Sequence, residues 1–187
     1  MKKLSRLIKS KKPLVIPGVY DAIGAKIAEK VGFDAMFQTG YGTSATLFGM
    51  PDYGFIGATE TVGNARRISN AISVPLIVDS DTGYGNALSV WKLVKELESA
   101  GAAGIFLEDQ KWPKRCGHMQ GKDVIPQEEY TEKLGAAIDA RESKDFKTKV
   151  REKELSKIFW TNFYPLAYAK TIHCFCCSNK SIIWHSK

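Results

Sequence analysis

Four apolar runs constrain this chain more than any other feature. They are "PLVIPGV" (13–19), "DAMFQTG" (34–40), "VPLIVDSDTGYG" (74–85) and "AGIFLEDQ" (103–110). Each is short, bounded by Gly, Pro or acidic residues, and continuous in its apolar part rather than alternating. Strands of that kind are buried on both faces, as in a parallel sheet covered by helices. Helical patterns separate them. "DAIGAKIAEKVG" (21–32) carries Ile23, Ile27 and Val31 at helical spacing, with Gly32 as a stop. "TETVGNARRISNAI" (59–72) and "ALSVWKLVKELESAG" (87–101) supply two more helices, and residues 127–141 a fourth behind Pro126. "TGYGTSATLFGMPDYG" (39–54) reads as a loop too rich in glycine for regular structure.

The fold class is therefore α/β. Two architectures accommodate consecutive βα units, an open doubly wound sheet and a TIM-type barrel. All four strands run into small or acidic residues at their C-terminal ends: Tyr20 and Asp21, Thr39 and Gly40, Asp79 and Asp81, Glu108 and Asp109. Barrels put chemistry on that single rim. An open sheet would carry a phosphate loop after its first strand, and "GVYDAIG" is no such loop. The expectation is a partial TIM-type (β/α) barrel of about four βα units out of eight, followed by an atypical tail. The tail begins near Phe146, where the βα rhythm stops. Residues 1–146 form the barrel part and 147–187 a separate extension, and "KTKVREKEL" (147–155) is read as no strand. Strands one and four are then left with unpaired edges, and Phe159, Trp160, Phe163, Tyr164 and Trp184 offer apolar cover.

The formal charge of +7 argues little about partners, because the positive excess sits in residues 1–12 and 144–187. No nucleic-acid-binding signature accompanies it, so nucleic acid is not expected as a partner. No apolar run reaches the roughly 18 residues of a membrane span, and no secretory apolar block follows the basic start. Cys116 stands alone, and Cys174, Cys176 and Cys177 crowd the tail, which is not a disulfide framework. Cytoplasmic residence is the expectation. A zinc site at His173, Cys174, Cys176 and Cys177 would need a second spaced ligand pair, which the tail lacks.

Three clusters carry candidate chemistry. Asp79 and Asp81 stand two apart at a strand end, where a continuing strand would point both to one side. Converging carboxylates repel unless a cation or a proton intervenes, and hard oxygen ligands suit Mg²⁺ or Mn²⁺. The competing reading is an ordinary turn, since Asp and Thr before Gly are common there. Glu108 and Asp109 repeat the theme one strand later, with one of them expected to be solvated. In "KWPKRCGH" (111–118), Lys114, Arg115 and His118 surround Cys116, which would lower its thiol pKa and fit it for proton transfer. Lys114 and Arg115 can receive substrate carboxylates, and Gly117 lets the backbone approach a ligand. The competing reading is a cysteine in a basic loop. The N–H and O–H groups of "QTGYGTSA" (38–45) offer donors to an anion.

"TGYGTSATLFGMPDYG", "VDSDTGYGNALSV", "AGAAGIFLEDQ" and "PKRCGH", in this order, closely resemble the isocitrate lyase/phosphoenolpyruvate mutase superfamily, with the likeness strongest to short members of the 2-methylisocitrate lyase type. It runs from about residue 13 to 146. The resemblance implies a Mg²⁺-dependent site at the C-terminal rim of an (α/β)₈ barrel. Asp79, Asp81 and Glu108 would form the metal shell, partly through water, with Asp52 an acid beside it. Thr39, Gly40 and Tyr41 would grip the substrate carboxylate together with Lys114, Arg115, Gly117 and His118. Cys116 would be the general acid/base. The implied reaction is carbon–carbon cleavage of a 2-hydroxy di- or tricarboxylic acid to an oxo acid and a dicarboxylate, in a homo-oligomer. A phosphonomutase or oxaloacetate-decarboxylase-like enzyme on the same scaffold is the alternative, and a non-catalytic product of a truncated or frameshifted chain is another. The family's fifth strand carries an arginine in an "ARTDA"-like sequence that this chain lacks after Phe146.

Overall fold

The computed structural model describes residues 4–9, 14–116, 121–151 and 182–184. Five parallel strands form its main sheet: β2 (Gly18–Val19), β3 (Met36–Gln38), β4 (Leu76–Asp79), β5 (Gly104–Glu108) and β6 (Lys147–Arg151). They lie side by side in chain order. Without a reversal of strand order, the sheet has no switch point of the doubly wound kind. Helices make the crossovers. α2 (Ala22–Val31) joins β2 to β3, α5 (Ala87–Ser99) joins β4 to β5, and α6 (Gln127–Asp139) joins β5 to β6. Two helices, α3 (Gly40–Phe48) and α4 (Ala58–Ala71), lie between β3 and β4.

Both faces of the sheet are covered, which is why the strands read as unbroken apolar runs. Met36, Leu76, Val78, Ile105 and Leu107 point to a core shared with α4, α5 and α6. Their neighbours Phe37, Ile77 and Phe106 point the other way, into a second cluster with Leu14, Ile16 and Leu4 of α1 (Leu4–Ile8). Phe37 and Phe106 meet edge to face at 5.7 Å on that side. Tyr130 of α6 is fully buried and donates its hydroxyl to Leu107 O at 2.9 Å, so its one polar atom is satisfied.

Several expectations are corrected here. The first strand is split by Pro17, which has no N–H to donate. β1 (Leu14–Ile16) turns away from the main sheet and pairs antiparallel with β7 (Ile182–Trp184), while β2 pairs with β3. Residues Lys147–Arg151, read as no strand, form β6 in register with β5, so the fourth run is not an edge. A five-residue run rich in lysine shows no strand signature, and the exposed edge of β5 supplies the pairing that sequence pattern does not. The glycine-rich stretch after β3 is a helix, not a loop. Thr39 caps α3 by accepting from Gly42 N at 3.1 Å, and Gly49 closes it. Ile23, Ile27 and Val31 do mark α2, but they are 73%, 59% and 71% exposed, and Ala25 faces the core instead. Trp184 lies in β7. The other expected covering aromatics and the tail cluster His173, Cys174, Cys176 and Cys177 lie outside the described residues. No helix among the described residues is long and apolar enough to cross a membrane.

Candidate active site

The C-terminal ends of β4 and β5 carry the acids, and the chain just beyond each end folds back over them. β4 stops at Asp79 and does not continue to Asp81, which adopts a left-handed backbone (φ 46°). The two carboxylates therefore converge by a turn and not by strand alternation. Asp81 N donates to Asp79 Oδ1 at 3.3 Å. Gly40, the first residue of α3, donates its N–H to Asp79 Oδ2 at 3.2 Å. A Cβ at Gly40 would lie 3.2 Å from Asp79 Oδ2 and 3.4 Å from Asp81 Oδ1. Only glycine lets a helix N-terminus approach both carboxylates so closely. The Gly40 amide and the Thr39 hydroxyl are thus engaged with the protein itself, while the Tyr41 side chain is exposed.

Asp52 arrives from the loop after α3 and is buried. Lys114 arrives from the segment after β5, and its side chain is only 3% exposed. Its Nζ lies 2.6 Å from Asp52 Oδ1 and 2.5 Å from Asp81 Oδ1. Lys114 was expected to receive a substrate carboxylate; its ammonium instead holds two carboxylates of the protein. The same segment is fixed at Cys116, whose N–H donates to Asp52 O at 3.1 Å. Trp112 packs over Gly54, where a Cβ would come within 2.8 Å of the ring, and meets Tyr84 edge to face at 6.5 Å. Glu108 and Asp109 are both buried, so neither is the solvated acid expected. The chain after them returns as a short antiparallel pairing, Lys111 N to Asp123 O at 2.8 Å and Ile125 N to Asp109 O at 2.9 Å. Cys116 is half-buried and Arg115 exposed at the rim, whereas Gly117 and His118 lie outside the described residues.

Gln110 has no assigned part in the sequence reading, yet its amide is central. Nε2 donates to Glu108 Oε2 at 2.5 Å and to Arg115 O at 3.0 Å, and Oε1 accepts from Arg115 N at 3.1 Å. Tyr84 was also missed. Its hydroxyl lies 2.7 Å from Thr61 Oγ1 and donates to Asp81 Oδ2 at 3.4 Å. Both belong to quoted motifs, but side-chain reach across a turn has no sequence signature.

Asp52, Asp79, Asp81 and Glu108 bring four carboxylates to this corner, and Lys114 is the buried ammonium that touches two of them, while the buried Lys133 donates to Thr82 O at 3.3 Å beside it. Burial pushes Asp79 up to about 6, reinforced by Glu108 and opposed by Lys114 and the Gly40 amide. Burial pushes Asp81 up to about 7, with Asp79 adding to it, despite the ammonium beside it. Burial alone would push Lys114 down, but Asp81, Asp79 and Asp52 hold it above its usual range. Burial likewise raises Tyr84 well above the usual phenol range. An excess of buried negative charge with hard oxygen donors fits a divalent cation. Among the described residues no three His, Cys, Asp or Glu side chains are gathered as direct ligands. The set therefore fits a cation that keeps much of its water, as Mg²⁺ does. An open cleft of about 770 Å³, lined by Gly54, Tyr84, Lys111, Trp112, Ile125 and Lys133 among others, borders the cluster.

Residues 4–151 match the family described as phosphoenolpyruvate phosphomutase. The chain is 48% identical over 144 residues to 2,3-dimethylmalate lyase of Eubacterium barkeri, covering 77% of itself and 50% of that protein. It is 49% identical over 142 residues to the chloroplastic carboxyvinyl-carboxyphosphonate phosphorylmutase of Arabidopsis thaliana, covering 75% and 42%. Among solved structures, oxaloacetate acetylhydrolase in complex with the inhibitor 3,3-difluorooxalacetate superposes with a TM-score of 0.78 at 37% identity, covering 83% of this chain and 54% of that one. Phosphonopyruvate hydrolase in complex with oxalate and Mg²⁺ superposes with a TM-score of 0.74 at 32% identity, covering 83% and 54%. The chain spans about half the length of the curated relatives it matches.

Proposed function

This chain belongs to the phosphoenolpyruvate phosphomutase family, within the isocitrate lyase/phosphoenolpyruvate mutase superfamily, and from that premise we propose a Mg²⁺-dependent carbon–carbon lyase site. Its substrate would be a 2-hydroxy di- or tricarboxylic acid, cleaved to an oxo acid and a dicarboxylate. One observation carries the reading: a thiol-bearing segment is tied by Lys114 and the Cys116 amide onto a buried, over-charged set of acids at the ends of β4 and β5. On this reading the five-stranded sheet is the first part of a TIM-type barrel, in a cytoplasmic homo-oligomer. The exposed apolar residues Ile23, Ile27 and Val31 supply a face for such packing.

The residues divide the work by position. Asp79 is the less buried carboxylate of its pair, so it would hold the cation most directly, with Asp81, Glu108 and Asp52 reached through water. Bound there, Mg²⁺ would supply Lewis-acid stabilisation of negative charge developing on the substrate's oxygens. Arg115 is exposed beside the thiol and offers a planar donor pair to a substrate carboxylate. Cys116 Sγ would deliver the proton to the carbanion carbon of the departing dicarboxylate, and the substrate's hydroxyl proton would leave to a base on the rim. Lys114 offsets part of the charge of Asp52 and Asp81 and leaves the set with net negative charge for a cation.

Phosphonomutase or hydrolase chemistry on the same scaffold is the second reading, favoured by relatives of that kind. The thiol at position 116 speaks for the lyase. A panel of 2-hydroxy acids and phosphonopyruvate, assayed with Mg²⁺ for release of pyruvate, glyoxylate or phosphate, separates the readings. The lyase reading expects oxo-acid release that Cys116→Ser lowers by about 10²-fold or more. Phosphonopyruvate turnover that survives Cys116→Ser overturns it. No turnover of any substrate leaves a non-catalytic binding product.

A further inference from the structure

We infer that Gln110 is a positioning residue that holds the Cys116-bearing segment in register with Glu108, an inference that rests on reading Cys116 as the proton donor. Gln110 follows β5 directly and is buried. Its backbone is bridged to Val124, which fixes the side chain's origin. From there one amide reads both backbone groups of Arg115, accepting from N at 3.1 Å and donating to O at 3.0 Å. The side chain thus pairs with Arg115 as a neighbouring strand would. The remaining Nε2 hydrogen goes to Glu108 Oε2 at 2.5 Å. The amide fits in one orientation only, since a flip would set its oxygen against a carbonyl and a carboxylate. The next residue is held independently, by the bond from Cys116 N to Asp52 O. Arg115 is therefore tied to the acid of β5, and Cys116 to the acid of the α3–α4 loop. The thiol's height above the cluster follows from those two ties.

No other side chain substitutes fully. Glutamate keeps the acceptor for Arg115 N–H but has no donor for Arg115 O, and it sets a second carboxylate against Glu108. Methionine fills the space and keeps neither. The experiment uses the full chain with Gln110→Met and Gln110→Glu at neutral pH. Amide hydrogen exchange at Arg115 and Cys116 is measured, together with the rate of Cys116 alkylation by iodoacetamide, resolved from the other cysteines by peptide mass. Gln110→Met is expected to speed exchange at Arg115 about tenfold or more and Cys116 alkylation several-fold, with exchange at Leu107 and Val78 unchanged. Gln110→Glu, the isosteric variant that decides if the methionine variant does not fold, is expected to speed alkylation with a smaller change at Arg115. Unchanged exchange and alkylation in the folded variants, or uniform acceleration throughout the chain, overturns the inference. Neither measurement needs turnover. A chain that shows this pattern but no lyase activity loses the functional reading and keeps this one, and the reverse pattern does the opposite.

Discussion

Two lysines each grip a loop-borne or strand-end acid, and they live in different physical worlds. Lys95 on α5 reaches Glu142 at 3.0 Å on the outside of the molecule, with its ammonium also 5.4 Å from the Trp91 ring. Beside it Glu98 accepts from Glu142 N and Ser143 N at 2.9 and 2.7 Å. Water solvates all of these groups, so the ion pair adds little. Lys114 makes shorter contacts, 2.6 and 2.5 Å, with Asp52 and Asp81 where almost no water reaches. Removing three charges from water costs several kcal/mol per ion, and attraction among them recovers that only in part. The outer lysine finishes the turn between α6 and β6. The inner one keeps a repulsive set of acids folded together, at the place where the proposed cation and thiol would act.

The largest expected effect breaks the inner arrangement. Lys114→Met leaves Asp52 and Asp81 buried without their counter-charge, and the metal-free protein is expected to lose about 3–5 kcal/mol at pH 7 in denaturant unfolding. Millimolar Mg²⁺ should restore part of it. A loss under 1 kcal/mol would show the lysine to be dispensable.

A pH series sharpens the contrast at intermediate size. Asp79 and Asp81 titrate near 6 and 7 in the fold, above the ordinary 3.8. Between those values the folded state binds more protons than the unfolded state. Stability from these groups is therefore complete below about pH 4 and is lost as pH rises through 6–7. The metal-free protein should weaken progressively from about pH 4 to pH 7, by several kcal/mol in all (roughly 1.4 kcal/mol for each pH unit by which a folded value exceeds the unfolded one). Mg²⁺ should flatten the slope, because the cation replaces the protons. A metal-free protein that gains stability over this window contradicts the assigned direction.

The smallest effect belongs to the outer pair. Lys95→Met should change stability by at most about 0.5 kcal/mol, and 0.5 M salt should leave the wild type nearly unaffected. A cost comparable to that of Lys114→Met would erase the distinction between the two regions.

Much of this was legible along the chain. The apolar runs placed β3, β4 and β5, and helical spacing placed α2, α4, α5 and α6. The motif acids Asp79, Asp81 and Glu108 do stand at neighbouring strand ends, and Asp52 joins them from a loop. What failed had particular causes. α3 was hidden because two glycines in its first turn look like a loop, when they are there to bring backbone against Asp79 and Tyr20. β6 was hidden because a lysine-rich run becomes a strand only when an unsatisfied edge lies beside it. The α2 stripe predicted the helix correctly, but periodicity does not say which side a neighbour will cover.

Local chemistry is written in order along the chain, so the sequence alone determined the α/β class, the acids and the thiol-bearing segment. Tertiary structure alone decided that Asp81 reaches the cluster through a left-handed turn, that Lys114 is consumed by Asp52 and Asp81, and that Gln110 splints Arg115 to Glu108. Each of these joins groups brought together by packing of separate elements. Burial there multiplies the strength of every charge, and no spacing rule along a chain records which groups will share a dry volume.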